Sequence, residues 1–267
     1  MSDDLDWLPS SVDTSVAHPA RTYDYLLGGK DNFPADRAVV EEALKFAPEA
    51  RDRVRANRAF LRRVVKFLVG EVGIRQILDI GTGLPTQDNV HEVASRLAPD
   101  TRVVYVDNDP IVLVHAQALL SEEKTTTVIQ ADMRSPQAIL DHPETRRMLD
   151  FDQPMAVLLI SILHFIEDAE DPAGLVARLR DAMAPGSYLA ISHLTTDLGP
   201  GAQQVARLFD RAAARMVPRS GAQIEGFFGD WDLVEPGMVQ LPLWRPDEPI
   251  PDNLDKIWFY GAVARKP

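Results

Sequence analysis

The chain has 267 residues, of which 45% are hydrophobic and 25% are charged, and its formal net charge is −12. This length can bury enough apolar surface for one large domain. The absence of cysteine excludes disulfides, thiolate metal sites and a cysteine nucleophile. The acidic balance argues against binding to nucleic acid, and no apolar run reaches the roughly 18 residues of a membrane span. We therefore expect a cytoplasmic protein without a membrane or nucleic-acid partner.

The first 75 residues divide into two segments. Residues 1–20 contain four acids and no Lys or Arg, and we interpret them as a flexible arm. Residues 21–75 carry 12 basic and 8 acidic residues and form a predicted N-terminal helical cap or lid. Apolar residues recur at helical spacing from Pro48 to Val69, which predicts a long helix with Gly70 as its stop.

From residue 76 onward, short apolar runs alternate with amphipathic segments. The predicted strands are Gln76–Ile80, Arg102–Asp107, Thr126–Gln130, Met155–Ile160 and Ser187–Ser192. The predicted helices between them cover about 87–98, 110–121, 136–149 and 172–184. This alternation predicts an α/β fold with a mostly parallel sheet and helices on both faces.

The last 75 residues follow another pattern, because their strands succeed one another without helices between them. A predicted helix near Gly201–Met216 precedes the apolar run Ile224–Phe228. Three short strands then follow, at Trp231–Val234, Val239–Leu243 and Lys256–Val263. We expect antiparallel pairing at a C-terminal edge strand. Residues 76–267 are thus one predicted domain, with 195–245 as an insertion on the substrate side.

The strongest local signal is Ile77-Leu78-Asp79-Ile80-Gly81-Thr82-Gly83, which ends the first predicted strand. Glycines at a strand-to-helix turn let a ligand approach the backbone, and the following helix start offers free N–H groups. The dinucleotide fingerprint G-x-G-x-x-G is incomplete, because Thr86 occupies its sixth position. Asp79 places an acid beside the turn, where it can bind an ammonium group. The alternative is an ordinary tight turn with a helix cap.

Two further acids follow the next two predicted strands. Asp107, followed by Asn108, can accept hydrogen bonds from both hydroxyls of a ribose. Asp109-Pro110 already supplies a helix cap, which leaves Asp107 available for a ligand. Asp132 can accept from an adenine amino group, and Met133 can pack on the adenine ring. Taken alone, Asp132 is equally typical of an ordinary loop.

The three strand-end acids together resemble the class I methyltransferases that use S-adenosylmethionine, over about residues 75–193. The resemblance implies a Rossmann-like sheet in which Gly81, Thr82 and Gly83 hold the methionyl part, with Asp79 nearby. It also implies that Asp107 binds ribose and that Asp132 and Met133 bind adenine.

A second resemblance covers the cap. The segment Ala20-Arg21-Thr22-Tyr23-Asp24-Tyr25-Leu26-Leu27-Gly28-Gly29-Lys30-Asp31-Asn32-Phe33 resembles the opening signature of the S-adenosyl methyltransferase family, long catalogued as a domain of unknown function. Gly83-Leu84-Pro85-Thr86 and Asn89-Val90-His91-Glu92 are similar to that family's form of the glycine turn. The resemblance implies the fold and the cofactor S-adenosylmethionine, but it implies no acceptor.

The adjacent glycines Gly28 and Gly29 suit a helix end followed by a loop that closes over a ligand. The alternative is a helix stop with tyrosines packed in the core. We predict a lid in which Tyr23, Tyr25 and Asn32 face the ligands, and Asn57 and Arg58 of the next helix could turn toward them. The candidate cofactor-binding residues are therefore Asp79, Gly81, Thr82, Gly83, Asp107, Asn108, Asp132, Met133, Ser161, Tyr23 and Asn32.

His164 is the candidate catalytic base, because it follows the fourth predicted strand, where the crevice of such sheets lies. His193 is a second candidate, and either could be structural. No motif predicts a metal site. The predicted function is methyl transfer from S-adenosylmethionine to a small-molecule acceptor. The alternatives are a non-catalytic S-adenosylmethionine-binding module and an NAD-dependent oxidoreductase, which would share the glycine turn and Asp107.

Overall fold

The N-terminal part of the chain forms a cap of three helices. The computed structural model describes residues 12–85, 88–120, 123–210 and 212–267, so most of the predicted arm, residues 1–11, lies outside the described residues. The three cap helices are α1 (Pro19–Leu27), α2 (Pro34–Phe46) and α3 (Ala50–Val65). Each contacts at least one of the others, and α3 also contacts the sheet through its C-terminal strand.

The predicted stop of the long helix at Gly70 is wrong. Beyond α3 the chain continues as a π-helical segment, Lys66–Glu71, in which the amide of Val72 bonds to the carbonyl of Phe67 at 3.0 Å. Gly73, with a φ of +78°, turns the chain toward the first strand instead. A left-handed conformation is available to glycine without steric cost, so this position ends the helix.

In the part of the chain that the structure describes, eight strands form one mixed sheet. They are β1 (Gln76–Ile80), β2 (Arg102–Asp107), β3 (Thr126–Gln130), β4 (Ala156–Ile160), β5 (Tyr188–Leu194), β6 (Asp232–Leu233), β7 (Val239–Gln240) and β8 (Phe259–Arg265). The order is β3-β2-β1-β4-β5-β8-β6, and β7 also pairs with β8. The first five strands are parallel, whereas β8 runs antiparallel to β5. This confirms the predicted class I methyltransferase architecture with antiparallel pairing of the C-terminal strands, although the edge on that side is the short β6 and not β8.

Seven further helices accompany the strands in the described part of the chain. They are α4 (Val90–Leu97), α5 (Pro110–Leu120), α6 (Pro136–Leu140), α7 (Pro143–Met148), α8 (Pro172–Ala182), α9 (Gly201–Leu208) and α10 (Gly221–Gly226). The helix predicted over 136–149 is two helices, because Pro143 starts a new one with His142 as its N-cap. The helix predicted to reach Met216 ends at Leu208, where the Phe209 amide bonds to Ala206 in a tighter turn.

The strands separate two apolar cores. Alternate residues such as Leu78 and Val104 face one core, whereas Ile77 and Val103 face the other. Because a strand directs successive side chains to opposite faces, strands covered on both sides read as continuous apolar runs. The cap helix α3 contributes to the second core. Within the described ranges, no helix is both long and apolar enough to cross a membrane.

Arg63 fastens α3 to the C-terminal segment. Its Nε donates to the carbonyl of Trp244 at 2.8 Å, and one terminal nitrogen donates to the carbonyl of Leu241 at 2.6 Å. The Trp244 ring is fully buried and meets Phe60 edge-on, with ring centroids 5.4 Å apart. One buried guanidinium therefore satisfies two buried carbonyls beside the largest side chain of the core.

We expect Arg63→Met to lower the free energy of unfolding by about 2–4 kcal/mol, because two buried carbonyls lose charged hydrogen-bond donors. Urea unfolding would measure the change. Arg55→Met on the same helix is the matched control, since the Arg55 side chain is 67% exposed and pairs only with Asp52 in the described structure. If Arg63→Met lowers the free energy of unfolding no more than Arg55→Met does, the stabilising role of Arg63 is contradicted.

Candidate cofactor and substrate site

A cavity of about 220 Å³ lies at the carboxyl ends of the parallel strands, beneath α1 and α3. The strand order reverses between β1 and β4, and ligands of open α/β sheets bind at such a point. The cavity is lined by His164 and by every candidate cofactor-binding residue except Asn32, whereas Tyr25 and His193 do not line it. The candidates that line it are Tyr23, Asp79, Gly81, Thr82, Gly83, Asp107, Asn108, Asp132, Met133, Ser161 and His164.

The glycine turn is held tightly against β2 and the loop after β4. The Gly81 amide bonds to the carbonyl of Val106 at 2.8 Å, and Gly81 has a φ of +77°. A Cβ at Gly81 would lie 2.6 Å from Cγ1 of Ile162, so no larger residue fits there. At Gly83, with a φ of +68°, the corresponding space is open. The turn thus combines close packing on one side with an accessible backbone on the other.

Asp79 lies beneath this turn and is 4% exposed. Its Oδ2 accepts a hydrogen bond from Thr82 Oγ1 at 2.9 Å. Burial raises the pKa of Asp79 to about 6, although the Thr82 hydrogen bond and the charge of Arg58 act in the opposite direction. Thr82 therefore orients the carboxyl group, while burial makes its negative charge costly without a ligand.

Asp107 ends the adjacent strand and is held by backbone amides. Its two oxygens accept from the amides of Gly83 at 2.8 Å and Asp109 at 3.0 Å. Burial again raises its pKa to about 6, against these hydrogen bonds. Among the described residues, neither Asp79 nor Asp107 forms an ion pair. A ligand with cationic groups and hydroxyls would compensate both carboxylates, which fits S-adenosylmethionine.

Asp132 and its neighbours form the third part of the site. Asn108 donates to Asp132 at 3.0 Å, and the Arg134 amide donates at 2.8 Å. Burial opposes ionisation, but the hydrogen bonds and the charge of Arg134 outweigh it and lower the pKa of Asp132. Met133 is buried and packs in the core beside the cavity. Asp132 therefore stays ionised at neutral pH, as an acceptor for an amino group requires.

Two cap residues connect α1 and α3 to the sheet through a chain of hydrogen bonds. Asn57 accepts from Ser192 Oγ at 2.6 Å and donates to the Tyr23 hydroxyl at 3.0 Å, and Tyr23 donates to the carbonyl of Val54 at 3.1 Å. Arg58, one residue further along α3, lines the same cavity and donates to the carbonyl of Asp88 at 3.0 Å. Spacing alone did not predict that Asn57 and Arg58 would face the site.

Asn32 and Tyr25 lie away from the cavity. Asn32 donates to the Asp24 carboxylate at 2.8 Å, and Tyr25 donates to Glu41 at 2.6 Å near the surface. A Cβ at Gly29 would collide with the Asp24 carboxylate, so the second glycine makes room for this contact. Gly28, with a φ of +86°, is the C-cap of α1. The glycine pair thus ends α1 and orders the loop behind Asp24, which itself lines the cavity.

His164 lies at the cavity wall beyond β4, in a short 3-10 turn. The side chain is 1% exposed, its Nδ1 has no hydrogen-bond partner among the described residues, and its ring packs near those of His193 and Phe259. Burial, reinforced by His193 and Arg219, lowers the pKa of His164 well below the usual value. The imidazole is therefore neutral, with one nitrogen still lacking a partner.

His193 is bonded on both ring nitrogens and does not line the cavity. Nδ1 donates to the carbonyl of Leu194 at 2.7 Å, so Nε2 accepts from Arg219 at 3.1 Å. Arg219 also donates to Asp168 and to the carbonyl of Leu163. These hydrogen bonds support the turn that carries His164. The role of His193 in this arrangement is therefore structural.

Ser161, at the end of β4, is a non-glycine residue with a φ of +62°. Its amide bonds to the carbonyl of Ser192 at 3.1 Å, which holds the strained turn in place. This backbone conformation turns the chain from β4 toward the residues that line the cavity. Among the described residues, no group of three or more His, Asp or Glu side chains could hold a metal ion.

Comparison with known proteins assigns the family. The sequence model described as S-adenosyl methyltransferase matches residues 5–267. No curated protein matches significantly. A crystal structure from Thermobifida fusca YX, described provisionally as a methyltransferase, is 45% identical, with a TM-score of 0.92 over 97% of this chain and 98% of that one. A DUF574 family protein from Streptomyces avermitilis MA-4680 is 46% identical, with a TM-score of 0.92 over 96% and 99%.

A more distant structure shares the fold. The 1,6-didemethyltoxoflavin-N1-methyltransferase of Burkholderia thailandensis, with bound 1,6-didemethyltoxoflavin and S-adenosylhomocysteine, is 17% identical. Its TM-score is 0.50 over 96% of this chain and 93% of that one. The family match covers nearly the whole chain, including the cap. The protein therefore belongs to the S-adenosyl methyltransferase family, whose cofactor is S-adenosylmethionine.

Proposed function

We propose that this protein transfers a methyl group from S-adenosylmethionine to a small-molecule acceptor bound beneath the helical cap. The observation that carries the proposal is a single cavity with two unlike ends. One end presents the strand-end acids Asp79, Asp107 and Asp132. The other end is lined by apolar side chains of the cap and of α9. This division suits a polar cofactor beside a less polar acceptor.

At the first end, each polar group has a counterpart in the cofactor. S-adenosylmethionine, when bound, supplies an electrophilic methyl group on a cationic sulfur. Asp79 would hold the amino group, and Arg58, close enough to Asp79 to affect its ionisation, would hold the carboxylate. Asp107 would accept from the ribose hydroxyls, and Asp132 would accept from the adenine amino group. Asp79 and Arg58 thus match the ammonium and carboxylate charges of the amino-acid group of the cofactor.

At the second end, the cap holds the acceptor and excludes water. Methyl transfer requires alignment of the acceptor atom with the methyl carbon, and a closed apolar site favours this alignment. His164 lines the cavity with a neutral imidazole, and a neutral ring nitrogen could accept a hydrogen bond from an acceptor bound beside it. Because its pKa is low, His164 would orient an acceptor more readily than it would remove a proton.

The first test is calorimetry with S-adenosylmethionine, S-adenosylhomocysteine and NAD. We expect both sulfur nucleotides to bind and NAD not to bind. Asp107→Asn should weaken both affinities by about tenfold to a hundredfold, because ribose hydroxyls lose a charged acceptor. Asp100→Asn is the matched control, since Asp100 precedes the same strand and its side chain is 77% exposed.

Binding of NAD in place of the sulfur nucleotides would contradict the proposal. A non-catalytic module would bind them equally well, so a second measurement follows the release of S-adenosylhomocysteine. Wild-type protein would be incubated with S-adenosylmethionine and small metabolites extracted from bacteria. We expect release that depends on the extract and is absent in Asp107→Asn. Binding without release would favour the non-catalytic module.

We also predict that affinity for S-adenosylmethionine rises between pH 5 and pH 7. The pKa values of Asp79 and Asp107 are raised to about 6, so both are largely protonated at pH 5, and Asp79 must ionise to bind the ammonium group of the ligand. If one of these ionisations is required, affinity should rise about tenfold over this range. Calorimetry in two buffers of different ionisation enthalpy would also detect proton release near pH 6. A flat profile would contradict this prediction.

The low pKa of His164 predicts that its ring stays neutral in the free protein at pH values near the ordinary histidine pKa of about 6.5. Proton NMR of the histidine ring signals would test this, with His164→Gln identifying the signal that disappears. A His164 signal that titrates above pH 6 would show a more basic imidazole. That result would support the role of general base instead of hydrogen-bond acceptor.

A further inference from the structure

Arg53 lies in the cavity wall at the cap end and is 5% exposed. One terminal nitrogen donates to the carbonyl of Lys256 at 3.1 Å, and the other donates to the carbonyl of Ala47 at 3.4 Å. The guanidinium carbon lies 4.3 Å from the ring centroid of Trp258. The side chain is thus held in one orientation by two neutral carbonyls and an aromatic face.

No carboxylate balances the charge of Arg53 among the residues that the structure describes. Glu49 and Asp52 act on it only from beyond ion-pair distance, and burial lowers the pKa of Arg53 to about 10. Arg134, on the opposite wall, contrasts with it, because Arg134 pairs with Asp132 and Glu170. A buried cation without a counter-ion is costly unless a ligand supplies the negative charge.

The surroundings of Arg53 are apolar. The apolar side chains that the cap, α9 and the segment before β8 contribute to the cavity include Val40, Ala43, Val54, Val205 and Trp258, and Asp24 of α1 is the carboxylate that the cap contributes among the described residues. An ion pair formed here is weakly screened by water, so it would discriminate strongly between charged and neutral ligands. The planar guanidinium suits a carboxylate, and a single negative charge matches a single positive one.

Helix α3 carries Arg53 at the cap end of the cavity and Arg58 at the end where the cofactor is proposed to bind. Arg58, whose charge acts on Asp79, lies five residues further along the helix, which corresponds to about 7.5 Å along its axis. Trp258 precedes Phe259, whose ring lies 5.7 Å from that of His164. Arg53 and His164 thus both lie beside the Trp258–Phe259 segment and line the same cavity, so a small molecule held at Arg53 would share the cavity with His164.

We propose that the methyl acceptor is an apolar small molecule with one carboxylate, and that Arg53 binds this carboxylate. The inference rests on the proposed function, because it concerns the acceptor end of the same cavity. The competing explanation is that Arg53 only ties the end of α2 to the segment before β8. That explanation gives Arg53 no preference between a carboxylate and a neutral group of the same shape.

The test compares matched probes on the full-length protein by calorimetry and thermal unfolding. The probes are 3-phenylpropionate and octanoate, each against its primary amide, with phenyl phosphate as the dianion. We expect each acid to bind at least about tenfold more tightly than its amide and to raise Tm, whereas phenyl phosphate binds more weakly than the acids. Arg53→Met should reduce the preference for acids to within about twofold, and Arg55→Met should leave it unchanged.

Binding of S-adenosylmethionine to the same samples separates the two proposals. If the wild type binds S-adenosylmethionine but binds acid and amide equally, or binds neither, the inference about the acceptor is overturned and the proposed function stands. If S-adenosylmethionine does not bind, the proposed function fails. Phenyl phosphate binding as tightly as the acids would overturn the choice of a monocarboxylate. If Arg53→Met fails to fold, the comparison of acid and amide binding to the wild type decides the question on its own.

Discussion

The site depends on two carboxylates, those of Asp79 and Asp107, that are buried at adjacent strand ends without an ion pair among the described residues. Burying a carboxylate is unfavourable unless hydrogen bonds or a ligand compensate it. The hydroxyl of Thr82 and the amides of Gly83 and Asp109 supply part of this compensation. The remainder creates a preference for a ligand with a cationic group and hydroxyls. The glycine turn, the close strand pairing and the cap helices all keep the carboxylates of Asp79 and Asp107 away from water.

The cap forms part of the site because its side chains contact the carboxyl-terminal ends of the strands directly. His18 lies 3.1 Å from Asp109, at the start of α5, and Arg21 lies 3.5 Å from the same carboxylate. On the other side, Asn57 connects Tyr23 to Ser192. These contacts hold α1 and α3 over the cavity from two directions. Any movement of α1 or α3 away from the sheet must therefore break some of them.

Much of the fold could be predicted, because periodic burial leaves a clear pattern in the sequence. The strands Gln76–Ile80, Arg102–Asp107 and Thr126–Gln130 agree with prediction residue for residue. The errors lie at helix ends and at the bounds of the C-terminal strands, where the strand predicted over Lys256–Val263 is Phe259–Arg265. Helical conformation continues past Gly70 to Glu71, because packing of the π-helical segment outweighs the local cost of glycine. The predicted helix to Met216 ends at Leu208, where Phe209 turns into the apolar interior.

The sequence by itself determined the alternation of strands and helices and the placement of acids at three strand ends, because parallel strands bring their carboxyl ends to one edge. It also indicated the family through the cap motif and the glycine turn. Only the tertiary structure decided which cap residues face the cavity. Asn57, Arg58 and Arg53 do so, whereas Asn32 does not. The physical reason is that the rotation of α3 and the position of α1 are set by long-range contacts, which local spacing does not encode.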